Sequence, residues 1–267
     1  MIPAMSTVLY EQNDKTAIAQ AFSKAAARYD QHAAFQRDVG LRLLNKLPQQ
    51  LDGWRILDLG CGTGYCSQIL QSRGATVVCV DLSSAMLQQA YQRCGSERMS
   101  YLQADGEALP FASFEFDAVF SSLALQWCDN LACPLTEIYR VLKPRGQVYL
   151  STLLEGSLIE LQQAWLKVDS YQHVNRFTTV NQVKIALAQA GYQKIHLDLP
   201  SITVWYESAF SLMRDLKGIG ANHVPGRAQG LTRRHTLAQV EQAYQVFRNH
   251  HGLLPATYQV CLGVLHR

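Results

Sequence analysis

Between residues 50 and 155, short apolar runs take turns with segments whose apolar residues recur at helical spacing. The runs at 55–59 (Arg-Ile-Leu-Asp-Leu), 76–80 (Thr-Val-Val-Cys-Val), 99–103, 116–121 and 147–152 predict five strands. Helical spacing marks 65–73, 83–94 with Ser83 or Ser84 as N-cap, and 131–142, which Lys143-Pro144-Arg145-Gly146 should stop. Strict alternation of this kind requires right-handed crossovers and a mostly parallel sheet covered on both faces, a doubly wound α/β fold. Helices are predicted before this unit at 17–29 and 35–47, and after it at 158–170 and 180–190. Strands at 194–199 and 202–205, helices at 209–217 and 237–249, and an alternating apolar strand at 258–265 complete the chain. Residues 1–267 thus read as one domain, with N-terminal helices in 15–47, a core in 50–155 and a helical insertion in 206–255. No internal repeat or low-complexity segment interrupts the pattern.

Composition narrows the class. The 267 residues are 48% hydrophobic and 17% charged, as in an ordinary globular protein, and a net charge of +3 gives no support to a nucleic-acid partner. No apolar run reaches the roughly 18 residues of a membrane helix, so no membrane partner is expected either. Residues 1–14 lack a basic-then-apolar signal pattern, and a cytoplasmic location is expected. Seven scattered cysteines without a Cys-x-x-Cys pair suggest reduced core thiols and no metal site.

The chemistry concentrates in Asp58-Leu59-Gly60-Cys61-Gly62-Thr63-Gly64, between a strand and a helix. Glycines there let the backbone turn sharply and approach a ligand. Dinucleotide folds favour Gly-x-Gly-x-x-Gly facing a pyrophosphate. The spacing here is Gly-x-Gly-x-Gly behind Asp58, whose carboxylate would repel a pyrophosphate but suits the ammonium of an amino-acid-bearing cofactor. Asp81 should end the second strand, where it can accept from two ribose hydroxyls. Asp105 should end the third, within reach of an adenine amine, while Leu82 and Met86 sandwich the ring. One such acid could be a helix cap; three at successive strand ends behind a glycine loop point to a ligand site.

These residues resemble the class I S-adenosylmethionine-dependent methyltransferases over about residues 50–155. The resemblance implies a Rossmann-like sheet of seven strands with an antiparallel last strand, and S-adenosyl-L-methionine as cofactor. It further implies that Asp58, Gly60, Gly62 and Gly64 cradle the methionine part, that Asp81 holds the ribose, that Asp105 and Gly106 read adenine, and that Leu123 lines the pocket near the sulfonium.

Flanking motifs are more particular: Ala21-Phe22-x-x-Ala25-Ala26-x-x-Tyr29-Asp30, Gln126-Trp127-Cys128, Ala164-Trp165, Asn175-Arg176-Phe177 and Leu216-Lys217-Gly218-Ile219-Gly220-Ala221. With them the chain is similar, nearly end to end, to the malonyl-[acyl-carrier protein] O-methyltransferase family of biotin synthesis. That likeness implies methylation of the free carboxylate of a malonyl thioester on acyl-carrier protein, with malonyl-CoA an open second substrate. A carboxylate is already an anionic nucleophile at pH 7, so no general base is nominated. Tyr29 and Trp127 are candidates to shape the sulfonium pocket, Tyr29 counting also as a cofactor contact. Arg145, Arg176, Arg214 and Lys217 are candidates to grip the substrate carboxylate. Arg145 replaces a glycine in the usual Lys-Pro-Gly-Gly turn of the class. A cluster in the insertion (Arg214, Lys217, Arg227, Arg233, Arg234 and Arg248) suits an acidic carrier protein. A small-molecule or quinone-type C- or O-methyltransferase would share every core motif, and only the flanks separate the two.

Overall fold

A computed structural model describes residues 15–221 and 233–267; residues 1–14 and Arg227 lie outside this range. The elements run α1 (Lys15–Ala25), α2 (Tyr29–His32), α3 (Ala34–Leu44), β1 (Arg55–Leu59), α4 (Tyr65–Ser72), β2 (Thr76–Asp81), α5 (Ser84–Cys94), β3 (Met99–Gln103) and β4 (Phe116–Ser122). They continue through α6 (Ala132–Val141), β5 (Leu142–Leu153), α7 (Ile159–Leu166), α8 (Val180–Gln189), β6 (Lys194–Asp198) and β7 (Ser201–Tyr206). The last are α9 (Ala209–Gly218), α10 (Arg234–Tyr244) and β8 (Leu254–His266).

The sheet order is β3-β2-β1-β4-β5-β8-β6, with β7 also on β8. Strands β1 to β5 are parallel, and β8 runs antiparallel to β5. Eight strands form, as the apolar pattern predicts and one more than the family resemblance implies, for a local reason. β6 and β7 pair with β8 in one continuous register, Asp198 opposite Leu262 and Ser201 opposite Gln259. Pro200, which has no N–H for the ladder, falls between them and splits one strand into two. Its carbonyl still accepts from the Val260 amide at 3.0 Å.

Strand alternation sorts the core into two layers. Ile56, Val77 and Phe120 pack with Leu43, Leu70 and Leu87 from α3, α4 and α5. Leu57, Val119 and Val148 pack on the other face with Leu135, Ile138 and Leu187 from α6 and α8. Helix α6 ends at Val141, ahead of Lys143-Pro-Arg-Gly146, but β5 starts at Leu142 instead of 147, and these residues bulge between the pairs Phe116–Leu142 and Ala118–Gln147. Ser83, not Ser84, caps α5 by accepting from the Met86 amide. No helix of the described residues is long and apolar enough to cross a membrane.

The turn from β1 into α4 depends on Gly64, whose φ is +79°. A Cβ there would lie 2.9 Å from Ala90 Cα and Cβ on α5. Gly64→Ala therefore strains the backbone and parts two packed helices, and should cost about 1–3 kcal/mol in denaturant-induced unfolding. Wild-type stability in this variant would contradict the packing.

Candidate active site

Two cavities open over the C-terminal ends of the parallel strands, where an open α/β sheet binds ligands. The first, about 790 Å³, is walled by Gly60, Gly62, Asp81, Leu82, Met86, Asp105 and Gly106. The second, about 740 Å³, is enclosed chiefly by apolar side chains from α3, α7, α9 and β8 and by the loop after α7. Phe22, Tyr29, Leu123 and Trp127 belong to both walls, so the cavities meet there. Phe22 and Trp127 stand edge to face with centroids 5.3 Å apart. Leu123 is held in a left-handed conformation (φ +52°) as its amide donates to the carbonyl and hydroxyl of Ser151, each at 3.0 Å. Such strain in a non-glycine residue persists only where the surroundings fix it.

Asp81 is the electrostatic centre of the first cavity. Its Oδ2 accepts from the Gly62 amide at 3.0 Å and its Oδ1 from the Ser83 amide at 2.8 Å. Each oxygen keeps a lone pair for a further donor. Burial raises its pKa to about 6, against the opposing pull of these amides. A Cβ added at Gly62 would meet no atom within 4 Å, so this bare turn leaves room along the wall it forms. Such a wall fits a ribose beside Asp81 and a flat ring between Leu82 and Met86. Asp105 lies two residues beyond β3 instead of ending it, and it is engaged already. Lys15 Nζ donates to its Oδ2 at 2.6 Å and pairs with Glu107 at 2.7 Å.

Two expected cofactor contacts have other tasks. Asp58 is 2% exposed, lies outside the cavity wall and accepts from Ser67 Oγ at 2.5 Å. It sits on the α4 side of β1, where burial raises its pKa to about 7 even against the Ser67 bond. A partly neutral, enclosed carboxyl supports the loop from behind, outside the cavity wall. Gly64 packs α4 on α5 and does not line the cavity.

None of the basic candidates lines the second cavity. Leu216 and Ile219 turn inward from α9, which leaves Arg214 and Lys217 exposed on its outer face. Asn175 and Phe177 face the cavity and the intervening Arg176 is exposed. Arg145 occupies a left-handed turn (φ +68°) at the N-terminal edge of β5, the wrong end of the sheet for the site. Sequence reasoning missed Lys15, Phe35, His173 and Tyr258 as wall residues, since nothing local to them marks a site, and it gave Phe22 only as part of a flanking motif.

The Leu216-to-Ala221 motif has a packing explanation. A Cβ at Gly218 would fall 2.2 Å from the His32 ring, so only glycine lets α2 lie against α9. His32 Nδ1 and Asp215 Oδ1 are 2.8 Å apart across the same contact. Asp30 ties the N-terminal helices to the glycine loop by accepting from Thr63 Oγ1 at 2.7 Å and from Arg93. Burial, with Asp81 and Asp30 nearby, pushes the Tyr29 phenol well above its usual range, so it stays a hydroxyl.

Residues 57–150 match the methyltransferase domain family. Fold and site together define a class I S-adenosylmethionine-dependent methyltransferase, with S-adenosyl-L-methionine as its cofactor. The chain is 42% identical over 255 residues to the malonyl-[acyl-carrier protein] O-methyltransferase of Serratia marcescens, covering 95% of this chain and 96% of that one. It belongs to that family and is an O-methyltransferase. It is also 43% identical over 253 residues to the biotin biosynthesis bifunctional protein BioHC of Cellvibrio japonicus, spanning 94% of this chain and 50% of that relative. Among solved structures, Haemonchus contortus phosphoethanolamine N-methyltransferase 2 in complex with S-adenosyl-L-methionine superposes with a TM-score of 0.62. At 19% identity over 97% of this chain and 60% of that one, the likeness concerns the fold alone. Similarity that spans 95% of this chain and 96% of the Serratia relative favours this family over the small-molecule or quinone-type alternative.

Asp81→Ala should weaken S-adenosylmethionine binding by about 2–3 kcal/mol in calorimetry, because charge-assisted bonds to the ligand are lost. Binding to the wild type should also weaken as pH falls through about 6, where the free-protein carboxyl takes up a proton and stops accepting from both hydroxyls. That pH dependence should vanish in Asp81→Asn. Normal affinity in Asp81→Ala would remove Asp81 from the site.

Proposed function

We propose that this enzyme methylates the free carboxylate of a malonyl thioester on acyl-carrier protein, giving the methyl ester that begins the pimeloyl chain of biotin. The observation that carries the reading is the second cavity: a mostly apolar pocket that meets the cofactor cavity at Tyr29, Leu123 and Trp127. The names of the relatives supply the substrate.

When bound, S-adenosylmethionine supplies a methyl group activated on a positively charged sulfur. In this reading the Gly60 and Gly62 backbone passes close to its methionine part, Asp81 accepts from its ribose hydroxyls, and Leu82 and Met86 flank its adenine. Asp105 and Gly106 lie at the adenine edge, where Lys15 shares the Asp105 carboxylate. The Trp127 face and the protonated Tyr29 hydroxyl border the junction, where a cation is favoured. The chain's task toward the acceptor is to hold one carboxylate oxygen at that junction and to exclude water that would solvate it. A malonyl carboxyl is ionised at neutral pH, and no residue need remove a proton.

The carrier, rather than coenzyme A, is the favoured bearer of the malonyl group. Arg214 and Lys217 are exposed on the outer face of α9, which walls the second cavity, and Arg233 and Arg234 are exposed at the start of α10. An acidic carrier protein would be steered to such a surface. The helices of 206–255 act in this reading as a roof under which the thioester arm enters. A cytoplasmic setting, without nucleic-acid or membrane partners, completes the proposal.

Incubation with labelled cofactor and malonyl-carrier should yield a base-labile methyl ester in mass spectrometry. With both substrates saturating, single-turnover rates should stay flat from about pH 6 to 8, since the nucleophile titrates far below that range. Added salt should slow the carrier substrate more than malonyl-CoA. A sigmoid near pH 7 abolished by one substitution would contradict the mechanism and indicate a hydroxyl or carbon nucleophile.

A further inference from the structure

The second cavity contains one histidine that the proposed reaction has not used. His173 follows α7 in the loop that closes the pocket, and its side chain is 6% exposed. Its ring stacks on Trp165 with centroids 3.6 Å apart and planes within 10°. Nε2 lies 2.8 Å from Asp169 Oδ1. Nδ1 is buried in the wall of the cavity with no hydrogen-bond partner. Stacking and the Asp169 bond thus fix the ring on two sides and leave one nitrogen for a ligand.

We infer that His173, held by Asp169, is the anchor for the substrate carboxylate, an inference that rests on the malonyl reading above. Asp169 can only accept, so Nε2 carries a proton, and the chemistry then turns on Nδ1. In the neutral ring Nδ1 is an acceptor and repels an anion. With a proton on each nitrogen, Nδ1 is instead a charged donor aimed into the cavity wall. An entering carboxylate offers Nδ1 a second anionic partner, and the ring bridges the two.

Other polar groups in the pocket are less suited. Gln126 Nε2 donates to the Leu123 carbonyl at 2.7 Å, which leaves its unpartnered Oε1 as an acceptor. Gln36 offers a neutral amide that does not select an anion. Tyr29 on α2 and Tyr258 on β8 face the pocket with phenols that burial pushes well above their usual range, so neither is charged. From α9 only apolar Leu216 and Ile219 line this wall, and no described lysine or arginine does. Glu160 on α7 is turned to Thr257, accepting from its amide at 3.1 Å and from its hydroxyl. With one carboxylate oxygen on His173, the other is free to face the junction at Tyr29 and Trp127.

The test uses the full-length enzyme and malonyl-carrier. His173→Phe keeps a flat ring on Trp165 but removes both nitrogens. Its KM for malonyl-carrier should rise on the order of tenfold to a hundredfold. Its kcat should fall by no more than about twofold, since the carboxylate sheds its charge as the methyl transfers and the anchor acts chiefly on the bound ground state. Acetyl-carrier, which lacks the carboxylate, should inhibit wild type and variant with the same Ki. His173→Gln, which retains a donor, should fall between the two in KM. Calorimetry with S-adenosylmethionine should match wild type in both variants, reporting an intact fold. An unchanged KM overturns the inference, as does a fall in kcat alone, which would make His173 a base. A parallel rise in the acetyl-carrier Ki overturns it too, reducing His173 to a shaper of the pocket. Failure of the malonyl reading looks different: wild type would bind S-adenosylmethionine yet give no malonyl ester, and both claims would fall together.

Discussion

The Asp81 carboxylate grips two backbone amides at once, Gly62 from the loop after β1 and Ser83 from the start of α5. This contact fastens the glycine turn to the neighbouring strand and orders the floor of the cofactor cavity before any ligand arrives. It carries an electrostatic cost, because the group is buried and its pKa rises. Ligand hydroxyls that donate to the remaining lone pairs relieve that cost. Binding and loop order are therefore coupled through one side chain. Asp58, one strand over, adds a second buried acid behind the loop and makes the region less tolerant of negative charge. A cofactor with a cationic centre suits such a region better than a pyrophosphate does.

The rest of the site is brought to this floor by packing. α1 and α2 reach it through Asp30 on Thr63 and Arg93, and Ser23 meets the cap residue Ser83 at 2.8 Å. α9 reaches it at second hand, through the His32–Asp215 contact and the missing side chain at Gly218. Phe22 and Tyr29 thus border the junction because α1 and α2 are anchored at the floor, and Trp127 meets Phe22 there edge to face. The two cavities share this boundary, and the proposed reaction puts methyl transfer there.

Strands and glycines could be read from the sequence because their signals are local. β-branched runs, a Gly-x-Gly-x-Gly spacing and acids at strand ends report on their own neighbourhoods. The basic candidates failed for the opposite reason. Whether Arg214 or Leu216 faces inward depends on the phase of α9 against α2, which Gly218 and His32 set from nearly two hundred residues apart. Arg145 followed a family motif to the far end of the sheet. The chain's own apolar pattern marked eight strands where the family resemblance implied seven, because Pro200 interrupts a ladder whose register continues past it. His173 carries no motif; its meaning depends on Trp165, Asp169 and a cavity wall that only the folded chain assembles.

The central claim is that cofactor and acceptor occupy separate cavities that meet at Tyr29, Leu123 and Trp127. A crystal structure with S-adenosylhomocysteine and a non-reactive malonyl-pantetheine analogue tests it most directly. The account predicts ribose hydroxyls on Asp81, the malonyl carboxylate at the junction, and the pantetheine arm leaving beneath α9. An acyl group entering through the cofactor cavity, or a carboxylate pointing away from Tyr29 and Trp127, would contradict it.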